Sequence, residues 1–174
     1  MSNFTVFLDS LPDYAKDIKL NAKSVIVNPV NGLTKKQVAI CAISSAVTTK
    51  SRFLINLLEE HFAIDLSEVE ISAARGCAAI MGMNNIYYRF LHLCSNHDYQ
   101  SMQPGLRMTI IANSGIDSKD FELAALSASA ITGCGMCIDS HEKKLKAEGI
   151  TSDAIQHAIK IASILHALTC ISSD

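Results

Sequence analysis

Helix-start signals followed by apolar residues in a 3.6-residue rhythm recur along the whole chain, and that pattern points to an all-α fold. Thr34 and Gln37 form a capping box, in which a hydroxyl and a side-chain amide take up orphan backbone groups at a helix start. Val38, Cys41, Ala42 and Ser45 follow in helical register. Ser67 and Glu70 form a second capping box, leading into Ile71, Ala74 and Ala78. Pro12 opens a segment running to about Val25, and the turn-rich Asn28, Pro29, Val30, Asn31 and Gly32 close it. Asn113, Ser114 and Gly115 end another segment. Asp117 or Ser118 caps the next, which carries Phe121, Ala124, Ala125 and Ala128 on one face. Gly149 ends a further helix, and Thr151 begins a last one with Ile155, Ala158, Ile159 and Ala162 in register. No stretch alternates with period two for long enough to argue a sheet. With only 8 Gly and 3 Pro in 174 residues, turns are scarce, as a helical protein requires. The predicted architecture is all-α, roughly eight short helices in a single domain spanning residues 1–174.

The chain also resembles itself at an offset of 84 residues. Thr34 and Lys35 fall against Ser118 and Lys119, and Ser45–Thr48 against Ser129–Thr132. Further on, Ser67, Ile71, Ala74, Ala78 and Ile80 fall against Thr151, Ile155, Ala158, Ala162 and Ile164. Two caps and an apolar stripe in one register predict an internal duplication, with pseudo-repeated halves at about 20–95 and 105–174. The chemistry is not duplicated. Val38 stands where the second half has Glu122, and Lys50 and Phe53 stand against Cys134 and Cys137.

Apolar residues make up 49% of the chain and charged residues only 18%, and 15 basic side chains are outnumbered by 17 acidic ones. That balance argues against disorder and against nucleic-acid binding. A mean hydropathy of +0.23 predicts apolar surface buried between subunits of a homo-oligomer. A membrane is the other place to hide such residues. The longest run free of Asp, Glu, Lys and Arg is Leu123–Ile138, sixteen residues interrupted by serines, a threonine and glycines, whereas a span needs about 20 apolar residues. No span is expected. The first residues lack a basic region followed by an apolar one, so no secretory signal is expected either. The six cysteines, Cys41, Cys77, Cys94, Cys134, Cys137 and Cys170, therefore read as cytoplasmic thiols, most of them small core residues.

Chemistry concentrates between Glu122 and Glu142. Cys134 and Cys137, three apart at the start of a helix, can bridge across one turn. A helix N-terminus stabilises a thiolate and lowers a cysteine pKa from about 8.5 toward roughly 3.5–7.5. Thr132 and Gly133 are expected to cap that start. His141 shares a helix face with both sulfurs. Glu122, on the preceding helix, can reach the imidazole if the two helices fold back as a hairpin. The result is a carboxylate–imidazole–thiol relay, the general form of an activated nucleophile. Spacing alone does not decide which sulfur is the more accessible. A lone CxxC is also half a zinc site, without the second pair that structural zinc fingers use. Glu142, Lys143, Lys144 and Lys146 read as the solvated face of the same helix, and His157 and His166 as core or surface histidines. Met81, Met83, Tyr87 and Tyr88 read as packing against a partner helix or subunit.

The run Glu122-x11-Cys134-x2-Cys137-x3-His141 resembles the E-x11-C-x2-C-x3-H motif of the AhpD alkylhydroperoxidase family, within the carboxymuconolactone decarboxylase-like superfamily. The stretches Thr132–Glu142 and Met83–Phe90 are similar to segments typical of that family, and the resemblance covers nearly the whole chain. It implies an all-helical protomer assembled into trimers or a multiple of them, with an antioxidant thiol–disulfide function. Members reduce the peroxiredoxin AhpC, draw electrons from the dihydrolipoyl groups of a lipoylated acyltransferase, and reduce organic hydroperoxides directly. Carried over, the resemblance makes Cys137 the thiolate that attacks peroxide and Cys134 the residue that resolves its sulfenic acid. Glu122 and His141 become the relay that deprotonates the thiol, with an ordered water between. No bound cofactor, metal or haem is implied. Some members place a histidine directly before the second cysteine; here that position is Met136, so a relay through it is not available.

Two other readings stand beside this one. A ring-opening lactone decarboxylase of the same superfamily would need no redox-active cysteine pair. A non-catalytic oligomeric interaction module would use the pair structurally or for zinc.

Overall fold

The computed structural model describes residues 2–30 and 32–171. Asn31 of the expected turn lies outside the described residues. Among the described residues there is no strand, and the fold is all-α. The helices are α1 (Asn3–Ser10), α2 (Lys16–Ala22), α3 (Lys35–Thr48), α4 (Arg52–His61) and α5 (Glu68–Leu93), followed by α6 (Asp98–Ser101), α7 (Thr109–Ala112), α8 (Ser118–Thr132), α9 (Gly135–Ala147) and α10 (Ser152–Ile171).

Both predicted capping boxes form. Thr34 accepts the Gln37 amide N–H while the Gln37 side chain accepts that of Thr34, and Ser67 and Glu70 exchange the same pair of bonds. Asp117, rather than Ser118, caps α8 by accepting the Lys119 N–H. Two features depart from the sequence reading. The segment Asn3–Ser10 is a helix, capped by Ser2 and held by Phe4 and Leu8 in the core. And α5 is one continuous helix of 26 residues rather than a short one.

The core is built around two helices made largely of small side chains. Residues Val38–Ala46 of α3 and Asp120–Ser129 of α8 are buried without interruption, so both helices are enclosed on all sides. Alanine and serine there let backbones approach closely. The Ser44 hydroxyl of α3 reaches the Ala124 carbonyl, and the Ser127 hydroxyl of α8 is shared between the Leu123 and Ala158 carbonyls. Helices α5 and α10 flank this pair, α4 covers α3, and α9 folds back on α8. Helix α10 is long and apolar enough to cross a membrane by length and composition. Here its face of Ala158, Ile161, Leu165 and Leu168 lies in the core.

Cys41 and Cys77 are fully buried as expected. Burial pushes the Cys41 thiol up to about 12 and the Cys77 thiol higher still, so both are inert at neutral pH. The expectation that most of the cysteines are core residues holds, with Cys94, half-buried, and Cys170, exposed, as the exceptions.

Leu58 is fully buried on α4, a helix that packs against α3 and α1. Leu58→Ala is expected to lower unfolding free energy by about 2–5 kcal/mol through the cavity it leaves. Alkylation of the reduced cysteine pair should keep its rate in the same variant, which denaturant titration and a thiol assay check together.

Candidate active site

The α8–α9 hairpin brings together the four residues picked out by spacing. Gly133 ends α8 in the left-handed region at φ 70°, where a side chain would be strained, and reverses the chain into α9 within two residues. Helix α5 holds this turn from the side. Arg89 donates to the Thr132 carbonyl at 2.6 Å, and Asn85 donates to the Thr132 hydroxyl at 2.8 Å while accepting from Ser129.

The cap of α9 differs from expectation. Thr132 completes α8, and Cys134 itself is the N-cap, its sulfur accepting the Cys137 amide N–H at 3.3 Å. Cys134 and Cys137 are joined as a disulfide with Cα atoms 5.3 Å apart. Cys137 thus occupies the first turn of a 13-residue helix, in the field of its free N–H groups.

The Glu122 carboxylate, buried at 3% exposure, splits its oxygens between two partners on α9. One oxygen lies 2.7 Å from Nδ1 of His141, and the other accepts from Nζ of Lys144 at 2.7 Å. Burial alone raises a carboxyl pKa. Here the hydrogen bonds from His141 and Lys144, helped by their charges, outweigh it and hold Glu122 below the ordinary value of 4.5. An ionised Glu122 can only accept, so Nδ1 of His141 carries the proton and Nε2 is left as the basic atom of the neutral ring.

Lys144 is the site residue that the sequence reading placed on the solvated helix face. Its stem is half-exposed, but its ammonium is committed to Glu122. The signal was present: Lys144 follows Cys137 by seven residues and His141 by three, so all three share one face of α9.

A cavity of about 450 Å³ opens over this cluster, lined by Glu122, Cys137, His141 and Lys144 among others. Cys137, but not Cys134, reaches it: Cys134 is fully buried and Cys137 is 7% exposed. Met81 and Tyr88 of α5 form part of the wall, Met81 also packing in the helical core as expected; Met83 and Tyr87 do not line it. Met136 is 38% exposed and sits at the same wall. Met108, just before α7, and Ile111, on it, also line the cavity. Helix α7 seats its Ile110 over Gly76 of α5, where a Cβ would collide with it. One polar group in the wall is unmatched. The Asn84 side chain is 5% exposed and its Oδ1 has no hydrogen-bond partner. A buried polar atom left so costs about 1–3 kcal/mol. The two histidines set aside in sequence behave as expected: His157 is buried with Nε2 2.8 Å from the Val25 carbonyl, and His166 is exposed. Among the described residues no group of three His, Cys, Asp or Glu side chains is placed to hold a metal ion.

Known proteins share this arrangement's sequence over nearly its full length. The chain is 46% identical to a protein of Coxiella burnetii (strain Dugway 5J108-111) over 95% of its own length and 94% of that protein's. It is 45% identical to one from Rhodopseudomonas palustris (strain BisA53), covering 94% and 89%, and 45% to one from Streptomyces coelicolor, covering 92% of each. All three are named alkyl hydroperoxide reductase AhpD. The chain belongs to the AhpD family. The carboxymuconolactone decarboxylase family pattern also matches residues 97–169, the portion that holds all four motif residues. For this AhpD-family member the site lies in the portion that pattern matches, walled by a helix, α5, that precedes it.

Proposed function

We propose that this chain is a thiol–disulfide peroxidase that reduces organic hydroperoxides, directly or by reducing a peroxiredoxin of the AhpC type. The observation that carries this reading is the asymmetry of the pair: Cys137 opens onto the cavity shared with Glu122, His141 and Lys144, while Cys134 lies sealed behind it. In the reduced protein, Nε2 of His141 takes the Cys137 proton, directly or through one water, and Glu122 stabilises the imidazolium. The helix N-terminus favours the thiolate that results. That thiolate attacks the terminal oxygen of the hydroperoxide. An S–O bond forms, the O–O bond breaks, and the leaving alkoxide takes up a proton as the alcohol. Cys134 then attacks the Cys137 sulfenic acid; the S–S bond forms and water departs. Two electrons have passed from the dithiol to the peroxide, and a dihydrolipoyl dithiol, attacking through a mixed disulfide, restores them. No bound cofactor is called for.

The recurrence of helix starts supports the two-halved single domain: α3 and α5 begin at Lys35 and Glu68, and α8 and α10 at Ser118 and Ser152. Exposed Ile86, Phe90 and Leu93 along α5 support a homo-oligomer, a trimer or a multiple of it. Four unpaired cysteines suit the reducing cytoplasm.

A coupled assay with dihydrolipoamide as reductant, run with and without an AhpC-type peroxiredoxin, tests the proposal. Hydroperoxide-dependent consumption of dithiol is expected in at least one arm, with mass loss of two hydrogens confined to Cys134 and Cys137. No consumption in either arm would refute it. Lys144 adds a second expectation. Lys144→Met removes one of the two groups holding Glu122 ionised, so the acid limb of the pH–rate profile should move to higher pH, with a loss of about tenfold in rate below it. Lys144→Arg should restore the limb.

A further inference from the structure

We propose that Asn84 grips the peroxide end of the substrate, its carboxamide pairing with the O–O–H group while the methionine- and tyrosine-lined wall takes the organic substituent. This rests on the peroxidase reading of the same site. Asn84 is more than nine-tenths buried, lines the cavity onto which Cys137 opens, and has a carbonyl with no partner in the protein. Its neighbour Asn85 shows the contrast. Asn85 is as deeply placed, but its amide is spent on Thr132 and Ser129, where it holds the redox turn. Two adjacent buried asparagines thus divide their labour: Asn85 holds the turn, and Asn84, in the cavity wall, keeps a buried carbonyl without a protein partner.

The chemistry of that group fits a hydroperoxide. A carboxamide offers one acceptor and an N–H donor side by side. A hydroperoxide offers one O–H donor on its terminal oxygen and an acceptor on the oxygen bonded to carbon. Pairing the two satisfies the Asn84 carbonyl, fixes the terminal oxygen as the one presented to Cys137, and places an N–H beside the oxygen on which negative charge develops as the O–O bond breaks. Met81, Tyr88, Met108, Ile111 and Met136 make most of the remaining wall apolar. The substrate class is therefore a hydroperoxide carrying an alkyl or aryl group, rather than hydrogen peroxide, which has nothing to set against that wall.

Two variants in the full-length protein test this, with cumene hydroperoxide and hydrogen peroxide as probes. Asn84→Leu removes both donor and acceptor, and Asn84→Asp keeps the shape and the acceptor while losing the donor. In both, kcat/KM for cumene hydroperoxide is expected to fall by about 10²-fold, the scale of losing one preorganised donor. In Asn84→Leu, which adds no charge beside the thiol, disulfide reduction by dihydrolipoamide and the pH dependence of Cys137 alkylation should each stay within about twofold of wild type, since neither step uses the peroxide group. The preference for cumene hydroperoxide over hydrogen peroxide should survive in Asn84→Asp, because the apolar wall is intact. Unchanged peroxide kinetics in a folded variant would overturn the proposal. So would parallel losses in peroxide reduction and in disulfide exchange, which mark a structural role. Failure of the peroxidase reading itself is distinct: wild type would then consume no hydroperoxide.

Discussion

Cys137→Ser is expected to lower hydroperoxide turnover by more than about a thousandfold, because a serine hydroxyl at neutral pH supplies no anion and cannot form the bridge that closes the cycle. Cys134→Ser should behave differently. Its Cys137 can still make the first attack, so one equivalent of hydroperoxide should be consumed and the sulfenic acid should persist long enough to be labelled by a dione reagent. Wild type should label little, because Cys134 captures the sulfenic acid first. The expectation follows from where the sulfurs lie: Cys137 lines the cavity, and Cys134 is fully buried with its sulfur against the Cys137 amide. That amide contact has a second consequence. When a dithiol opens the bridge by attacking the accessible Cys137 sulfur, Cys134 is the leaving thiolate, and an N–H already points at it. Trapping of the sulfenic acid in Cys137→Ser rather than in Cys134→Ser would reverse the roles.

The second large effect concerns the relay. Glu122→Gln retains the shape and can still accept the Nδ1 proton of His141, but it removes the charge that stabilises an imidazolium. His141→Gln removes the base. Each is expected to slow Cys137 oxidation by about 10²–10⁴-fold, the range of general acid–base contributions, and to move the alkylation profile of Cys137 to higher pH. Alkylation rates equal to wild type in both variants across pH would sink the relay. Glu122 also links the site to stability. Its folded carboxyl lies below the ordinary 4.5, so it stabilises the protein above that value, and the contribution is lost as pH falls through the folded value. Glu122→Gln lacks this contribution. The difference in melting temperature between wild type and variant should be widest above about pH 5 and should close in acid.

Much of this site was legible in the chain because its geometry is local. Cys134, Cys137 and His141 lie within about two turns of one helix, and helical spacing alone puts them on one face. Lys144 obeyed the same spacing. It was read as solvent-facing because lysine is rarely committed in the interior, and nothing local announces that a buried carboxylate waits on the next helix. Thr132 looked like the better cap for α9, since threonine is a common N-cap. The left-handed Gly133 moved the start two residues on and gave the position to Cys134. Helix α1 escaped the sequence reading for a related reason. Eight residues form a marginal helix alone, and this one depends on burying Phe4 and Leu8.

The two capping boxes, helical faces and the 12- and 3-residue spacings from Glu122 to Cys134 and on to Cys137 were settled by the order of residues, because they depend on interactions within a few positions along the backbone. Which sulfur opens onto the cavity, where the Lys144 charge goes and how Asn84 comes to be unmatched were decided only in three dimensions. Those outcomes depend on α5, whose wall residues lie some forty to sixty positions before the residues they face, and burial is created by packing between such distant elements.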